Sequence, residues 1–302
     1  MNRAIQAVGA PLGRVDAQSL FGVVIWLTVV SLIQPGWAPA LLLFGPLVLF
    51  PLLFEIESHG AVVLRAVTFA AFLPAVVSYA FEQGIYAGVL TLPWLAFTLV
   101  FLGYRLLANL RGKQYVWIVV KGYLVVGACW LVLARCGIRP LNFEHVIVHA
   151  TAVHFHYAGF VLPILALQLT RQQSSRTGTF MLGGLLLGMP LVALGITLSQ
   201  FGRPSVHWFD CAAVWFFSGA CVWFAMDQIR FAFTVQQTFT RGLLLCSSLS
   251  LIAAMSLALL YATGNFLQTD RLGIPFMLRW HGPIQVFGFA LPGVVAWNLV
   301  KK

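Results

Sequence analysis

Charged residues are scarce in this sequence. Asp, Glu, Lys and Arg make up 9% of the 302 residues and hydrophobic residues 60%, whereas an ordinary soluble domain is about 25% charged. This composition excludes an ordinary water-soluble fold and indicates a chain that is embedded in a lipid bilayer. The net charge of +10 comes mostly from short segments between apolar runs, where basic residues set topology and meet anionic lipid head groups. A nucleic-acid partner is therefore not expected.

Several motifs that would indicate a particular chemistry are missing as well. The five cysteines show no C-x-x-C spacing, so neither a structural zinc site nor a thioredoxin-type centre is expected. The sequence has no G-x-x-x-x-G-K-[ST] loop, no Rossmann fingerprint, no H-E-x-x-H pair and no G-x-S-x-G turn. Nucleotide-driven transport and zincin proteolysis therefore have no support. The histidine boxes of membrane di-iron desaturases are absent too, and no cleavable signal peptide is evident.

The apolar runs are about 20 residues long, which is the length that an α-helix needs to cross a hydrocarbon core about 30 Å thick. They predict an all-α transmembrane bundle of about ten spans, with eight as the lower bound. The spans are expected near residues 18–34, 38–55, 60–81, 84–103, 114–134, 143–169, 179–199, 208–226, 242–262 and 280–299. Short loops with turn residues predict that consecutive helices are antiparallel neighbours.

The whole chain, 1–302, is predicted to be a single integral membrane domain that begins with a short segment, 1–17. Eleven Lys and Arg residues fall on the N-terminal side of the predicted bundle and five on the opposite side. Because positive charge is retained on the cytoplasmic side, both termini are predicted to be cytoplasmic.

One apolar segment, Ala150 to Phe160, carries His154 and His156, and His149 directly precedes it. Ionisable groups at membrane depth are costly, and they usually face the interior of a bundle where a partner satisfies them. Each helical residue advances by about 100°, so His154 points about 160° away from His156. The two residues cannot bind one metal ion from a regular helix, but each can serve a site on its own flank. This spacing suits an axial ligand for haem or a transition metal on either flank.

Other polar residues are predicted at the outer end of the bundle, at the level of Glu144, whereas His154 and His156 are predicted near mid-membrane. Ligands that converge from separate helices at one depth form metal and cofactor sites. The candidate metal ligands are His149, His154, His156, His281 and Glu144. The candidates for supporting positions or a proton path are Glu82, Tyr157, His207, Asp210 and Gln285.

Three elements of the sequence resemble the YndJ-like family of bacterial multi-span membrane proteins. They are V-H-F-H-Y-A-G-F at 153–160, A-G-V-L-T-L-P-W at 87–94 and H-G-P-I-Q-V-F-G-F at 281–289. The last element usually reads H-G-x-x-N-x-x-G-F in the family, and Gln285 stands here in place of Asn. The resemblance covers most of the chain from about residue 20. It implies a multi-pass protein of the bacterial cytoplasmic (inner) membrane, but it carries no activity with it.

A shorter likeness concerns His154-Phe155-His156-Tyr157 alone. These residues are similar to the H-F-H-Y of the haem-copper oxidase catalytic subunit, in which the first histidine ligates the high-spin haem and the second the low-spin haem. The histidine pair and the linked His-Tyr of that family's copper site have no counterpart in this sequence. Reduction of oxygen to water is therefore not expected.

The residues together predict an integral membrane protein whose histidine site binds a metal or haem for a redox or sensing role. A proton-coupled transporter that uses the same histidines is one alternative. A membrane-embedded enzyme that modifies lipid or isoprenoid by acid–base chemistry is another. Whether the protein is an enzyme stays open. The expected partners are the lipid bilayer and either a membrane redox partner or a small apolar substrate.

Overall fold

The structure is a computed structural model that describes residues 17–57, 62–109, 115–173, 176–201, 207–269 and 272–300. Every regular element in these ranges is helical. Eight helical segments are long and apolar enough to cross a membrane, and two further apolar helices have 17 residues each. The predicted all-α bundle of eight to ten spans is confirmed. That the whole chain forms one domain stays a prediction, and residues 1–16 of its first segment lie outside the described residues.

Ten helical segments follow one another along the described chain. They are α1 (Ala17–Ile33), α2 (37–57), α3 (Val62–Ser78), α4 (85–109), α5 (Tyr115–Cys136), α6 (His145–Gln173), α7 (Arg176–Ser199), α8 (His207–Ala232), α9 (Thr238–Phe266) and α10 (Ile274–Val300).

Two long-range hydrogen bonds show how the ends of these helices are arranged. Gln18 Nε2 donates to the carbonyl of Arg65 at 2.7 Å, which places the start of α1 beside the start of α3. Asn298 Nδ2 donates to the carbonyl of Leu52 at 2.9 Å, which places the end of α10 beside the end of α2. The start of α1 and the end of α10 therefore lie at the same end of the bundle, called the terminal end below. That the terminal end is cytoplasmic stays a prediction from the loop charges.

Helix α6 connects two groups of helices. Its first half packs mainly against α5 and α2, whereas its second half, from Leu162 to Gln173, also contacts α7, α8 and α10. Helix α7 packs against α8, α8 packs against α9, and α9 packs against α10. The first half of α6 thus belongs to the N-terminal group, and its second half joins that group to the C-terminal one.

Wide π-helical turns interrupt α2, α6 and α10, at Gly45–Leu49, Tyr157–Val161, Met277–His281 and Ile284–Ala290. A proline lies within or close to each interruption, and proline cannot donate the hydrogen bond that a regular helix needs. Such turns occur frequently at functional sites. In α6 the π-helical turn begins after His156, so the regular helix geometry applies to His154 and His156.

Helices α5 and α6 approach each other closely at Gly127. A Cβ atom at this position would lie 2.6 Å from Nδ1 of His156 and 3.1 Å from Cβ of Phe155. We expect Gly127→Ala to lower the free energy of unfolding by about 1–3 kcal/mol, because the added methyl group forces apart two packed helices. Gly122→Ala is the matched control, since it lies in the same helix and a Cβ there meets nothing within 4 Å. Thermal unfolding in detergent measures the difference, and equal melting temperatures for the two variants would contradict the prediction.

Candidate functional site

His156 is fully buried, with 0% of its surface exposed, and both of its ring nitrogens have protein partners. Nδ1 lies 2.8 Å from the carbonyl oxygen of Ala152. Because a carbonyl can only accept, Nδ1 carries the proton and donates it. Nε2 then accepts a hydrogen bond from Nε1 of Trp94 at 3.1 Å. The rings of Phe50 and Trp94 lie against the imidazole, with centroid distances of 6.1 and 5.9 Å. In this arrangement neither nitrogen is free to bind iron, and His156 joins α6 to α4.

His154 lies on the other flank of α6 and faces His281 of α10. The two ring centroids are 6.3 Å apart, and the ring planes differ by 27°. Nδ1 of His154 donates to the carbonyl of Ala150 at 2.7 Å, and Nδ1 of His281 donates to the carbonyl of Ala254 in α9 at 2.9 Å. Both Nε2 atoms therefore carry lone pairs in the neutral rings. In the described part of the chain neither Nε2 atom has a hydrogen-bond partner.

The two imidazoles face each other across a gap between α6 and α10. His154 is exposed, and His281 is half-buried. The first half of α6 carries His154 on one side of this space, and α10 carries His281 on the other, where the carbonyl of Ala254 in α9 holds the ring of His281. We call this space the histidine cleft.

Leu41 of α2 sets the spacing between α6 and α10 beside the cleft. Its carbonyl accepts a hydrogen bond from the hydroxyl of Tyr157 at 2.7 Å. On the other side, a Cβ atom at Gly282 would lie only 2.6 Å from Cδ1 of Leu41. Tyr157 starts one π-helical turn and Gly282 follows another. The residue one turn after His154 and the residue after His281 thus both lie against the same leucine.

His149 and Glu144 occupy a different part of α6. Glu144 is exposed at the start of the helix, whereas His149 is buried, with 6% of its surface exposed. Nδ1 of His149 donates to the carbonyl of His145 at 3.2 Å, and its ring lies 6.3 Å from the ring of Tyr79. Among the described residues there is no group of three or more His, Cys, Asp or Glu side chains that could hold a metal ion.

The other predicted supporting residues lie apart from the histidine pair or have no bond to it. Glu82 is exposed in the loop before α4, and His207 is half-buried at the start of α8. Asp210 is half-buried against Gly195 of α7. Gln285 is half-buried in the second π-helical segment of α10. Within the ranges that the structure describes, no hydrogen bond joins these residues to His154 or His281.

A buried glutamine network escaped the sequence reasoning. Gln228 of α8 has 0% of its surface exposed. Its Nε2 donates to the hydroxyls of Ser247 and Ser248 at 3.2 and 3.0 Å, and its Oε1 accepts from Nε1 of Trp297 at 3.1 Å. The network joins α8, α9 and α10, since a buried polar group must be paired within the protein. The sequence feature that would have indicated it is the pair Asp227-Gln228 at the end of an apolar run.

Residues 40–289 match the family model described as YndJ-like protein, which is more than half of the chain. The chain belongs to the YndJ-like family. It is also similar to a protein of Bacillus subtilis (strain 168) named "Uncharacterized membrane protein YndJ", with 31% identity over 180 residues. The aligned part is 59% of this chain and 31% of that protein, so the match spans about a third of the relative's length. No solved structure matches this chain.

Family membership and the multi-pass membrane character predicted from the sequence are thus confirmed. The three elements that carry the resemblance to the YndJ-like family come together around the histidines. The element at 87–94 ends with Trp94, which bonds to His156. The element at 281–289 begins with His281, which faces His154. The elements at 87–94 and 281–289 therefore contact opposite flanks of the element at 153–160.

Proposed function

We propose that this integral membrane protein binds a transition-metal centre between His154 and His281 and uses it in a redox or sensing role. The proposal rests on the hydrogen bonds that the two imidazole rings make and leave unmade. Both Nδ1 protons are donated to backbone carbonyls, and both Nε2 lone pairs are left without a partner in the described chain.

Two lone pairs cannot bond to each other. A species that bonds to both rings must supply positive charge or a proton, and a metal ion is such a species. Carbonyl acceptors at the second nitrogen orient the ring of many metal-binding histidines in this way, and imidazole suits zinc, copper and iron. Metal–nitrogen bonds are about 2.0 Å long, so one ion holds two opposed imidazoles with their centres about 6 Å apart. The observed centroid distance of 6.3 Å fits this value.

Two imidazoles fill only part of a metal ion's coordination sphere. The remaining positions belong to a ligand that enters the histidine cleft, either the porphyrin of a haem or water and small molecules around a single ion. The exposure of His154 to the cleft supports such an open site.

Purification of the full chain in detergent tests the proposal. We expect about one metal ion per chain by elemental analysis, and a haem would add its absorbance bands to the spectrum. Folded protein that remains colourless and metal-free after growth in metal-supplemented medium would reject the proposed function.

A second candidate, proton-coupled transport, is favoured by the position of the pair between two groups of helices. The neutral rings are proton acceptors in a cleft whose walls belong to α6 on one side and to α9 and α10 on the other. Proton uptake into liposomes that contain metal-free protein, and its loss in His154→Gln, is the expected result for this function. Uptake that persists in the variant would exclude it.

A further inference from the structure

A second polar cluster lies at the end of the bundle opposite the terminal end, apart from the histidine cleft. It consists of Arg135 in the last turn of α5, Tyr79 directly after α3, and His149 in α6. All three are buried, with 5%, 7% and 6% of their surfaces exposed. We call this cluster the arginine pocket. The function proposed above does not use it.

Arg135 is held by the end of α3. Its Nε donates to the hydroxyl of Ser78 at 3.2 Å, and its Nη2 donates to the carbonyls of Ser78 and Phe81 at 2.7 and 2.8 Å. The guanidinium also lies 4.4 Å from the ring centre of Tyr79. A cation is favourable at a helix C-terminus. Even so, no carboxylate pairs with Arg135 in the described part of the chain, and no hydrogen bond there uses Nη1. A buried charge without a counter-charge is costly.

Tyr79 and His149 add two buried polar atoms that have no partner. The hydroxyl of Tyr79 and Nε2 of His149 are both unpaired among the described residues, although the two rings are only 6.3 Å apart. Because Nδ1 of His149 donates to a backbone carbonyl, its Nε2 is an acceptor, whereas the tyrosine hydroxyl is a donor. The pocket therefore has unused donors on Arg135 and Tyr79 and an unused acceptor on His149.

We propose that the arginine pocket binds a phosphate group that retains one proton. Its bare oxygens accept from Arg135 and Tyr79, its P–OH donates to His149, and its negative charge balances the guanidinium. Arg135 is the second-last residue of α5, so the pocket lies near the depth of lipid head groups. Either the phosphomonoester head group of phosphatidic acid or free phosphate supplies this chemistry.

Thermal unfolding of the purified full chain tests this site. Inorganic phosphate is added to protein in detergent, and sulfate at the same ionic strength is the control, because sulfate stabilises proteins generally but carries no proton at neutral pH. In parallel, the protein is placed in nanodiscs of phosphatidylcholine alone or of phosphatidylcholine and phosphatidic acid in equal parts. We expect a rise in melting temperature of about 2 °C or more with one of the two phosphate sources. A rise with inorganic phosphate identifies the free ion, and a rise only with phosphatidic acid identifies the lipid.

Tyr79→Phe is the decisive variant, because Arg135 also caps α3 and its loss would disturb folding. Without a phosphate source, Tyr79→Phe is expected to melt no lower than the wild type, since the hydroxyl has no protein partner. With phosphate it is expected to lose most of the shift. Tyr86→Phe, at an exposed tyrosine of α4, is the control and should keep the full shift. The proposal is overturned if phosphate acts no differently from sulfate and phosphatidic acid has no effect, or if Tyr79→Phe keeps the full shift. Metal content at His154 and His281 has no bearing on this result.

Discussion

We expect His154→Gln and His281→Gln each to abolish the proposed metal binding while leaving the helix bundle folded. Each substitution leaves a single imidazole in the histidine cleft, and an amide is a poor replacement for an imidazole ligand. We expect the affinity for the metal to fall by at least about 100-fold, because even the loss of a supporting hydrogen bond around a metal ligand costs 10- to 100-fold. Nδ1 of His154 bonds only within its own helix, so the melting temperature of metal-free His154→Gln should change little. His281→Gln also loses the hydrogen bond to Ala254 of α9, which should cost about 0.5–1.5 kcal/mol.

The matched control for this experiment is His145→Gln, at an exposed histidine at the start of the same helix. Elemental analysis and absorbance are measured for the three variants after gel filtration, so that only folded protein is compared. The double variant, His154→Gln with His281→Gln, should bind no more metal than either single variant. Retention of the metal in His154→Gln would show that the ion lies elsewhere.

His156→Ala has the opposite effect, a large loss of stability with no direct loss of the metal ligands. The substitution leaves a cavity among the rings of Phe50 and Trp94 and removes the acceptor of the indole N–H of Trp94. Removal of a large buried side chain costs about 3–5 kcal/mol, and an unpaired buried donor adds about 1–3 kcal/mol. We expect the free energy of unfolding to fall by at least about 3 kcal/mol.

A double-mutant cycle with Trp94→Phe measures how much of this loss in the free energy of unfolding comes from the hydrogen bond between Trp94 and His156. Once Trp94 has become Phe, the substitution of His156 should cost less, by about 0.5–3 kcal/mol of coupling free energy. Thermal and denaturant unfolding in detergent measure the four proteins, and the metal content of the folded fraction is recorded for each. A stable His156→Ala protein that has lost its metal would assign the ligand role to His156 and contradict the arrangement proposed here.

The opposed directions of His154 and His156 followed from the sequence alone, because helical periodicity fixes them wherever the helix is regular. The sequence did not show which residue each of the two histidines contacts. Trp94 lies 62 residues before His156 in the chain, and His281 belongs to the last helix, so both contacts depend on how the helices pack around α6. The sequence placed His281 at the outer end of the last span, level with Glu144, and it did not indicate that His281 faces His154.

The lengths of the apolar runs predicted the helical segments well, since the thickness of the bilayer sets them. Arg135 shows where such reasoning stops. The prediction of topology counted Arg135 as a loop charge. In the structure Arg135 is buried and donates to the carbonyls at the end of α3. The π-helical turns were not predictable either, because the choice between an α and a π turn depends on proline positions and on the packing of neighbouring helices.

The π-helical turn Met277–His281 ends at the histidine of the pair. A π turn contains one residue more than the α turn it replaces. Conversion of this turn to regular α-helix would rotate His281 by about 100° about the axis of α10. The imidazole would then leave the carbonyl of Ala254 and turn away from His154, although the helix itself would remain intact. A change in the register of a few backbone hydrogen bonds within α10 would therefore assemble or dismantle the pair.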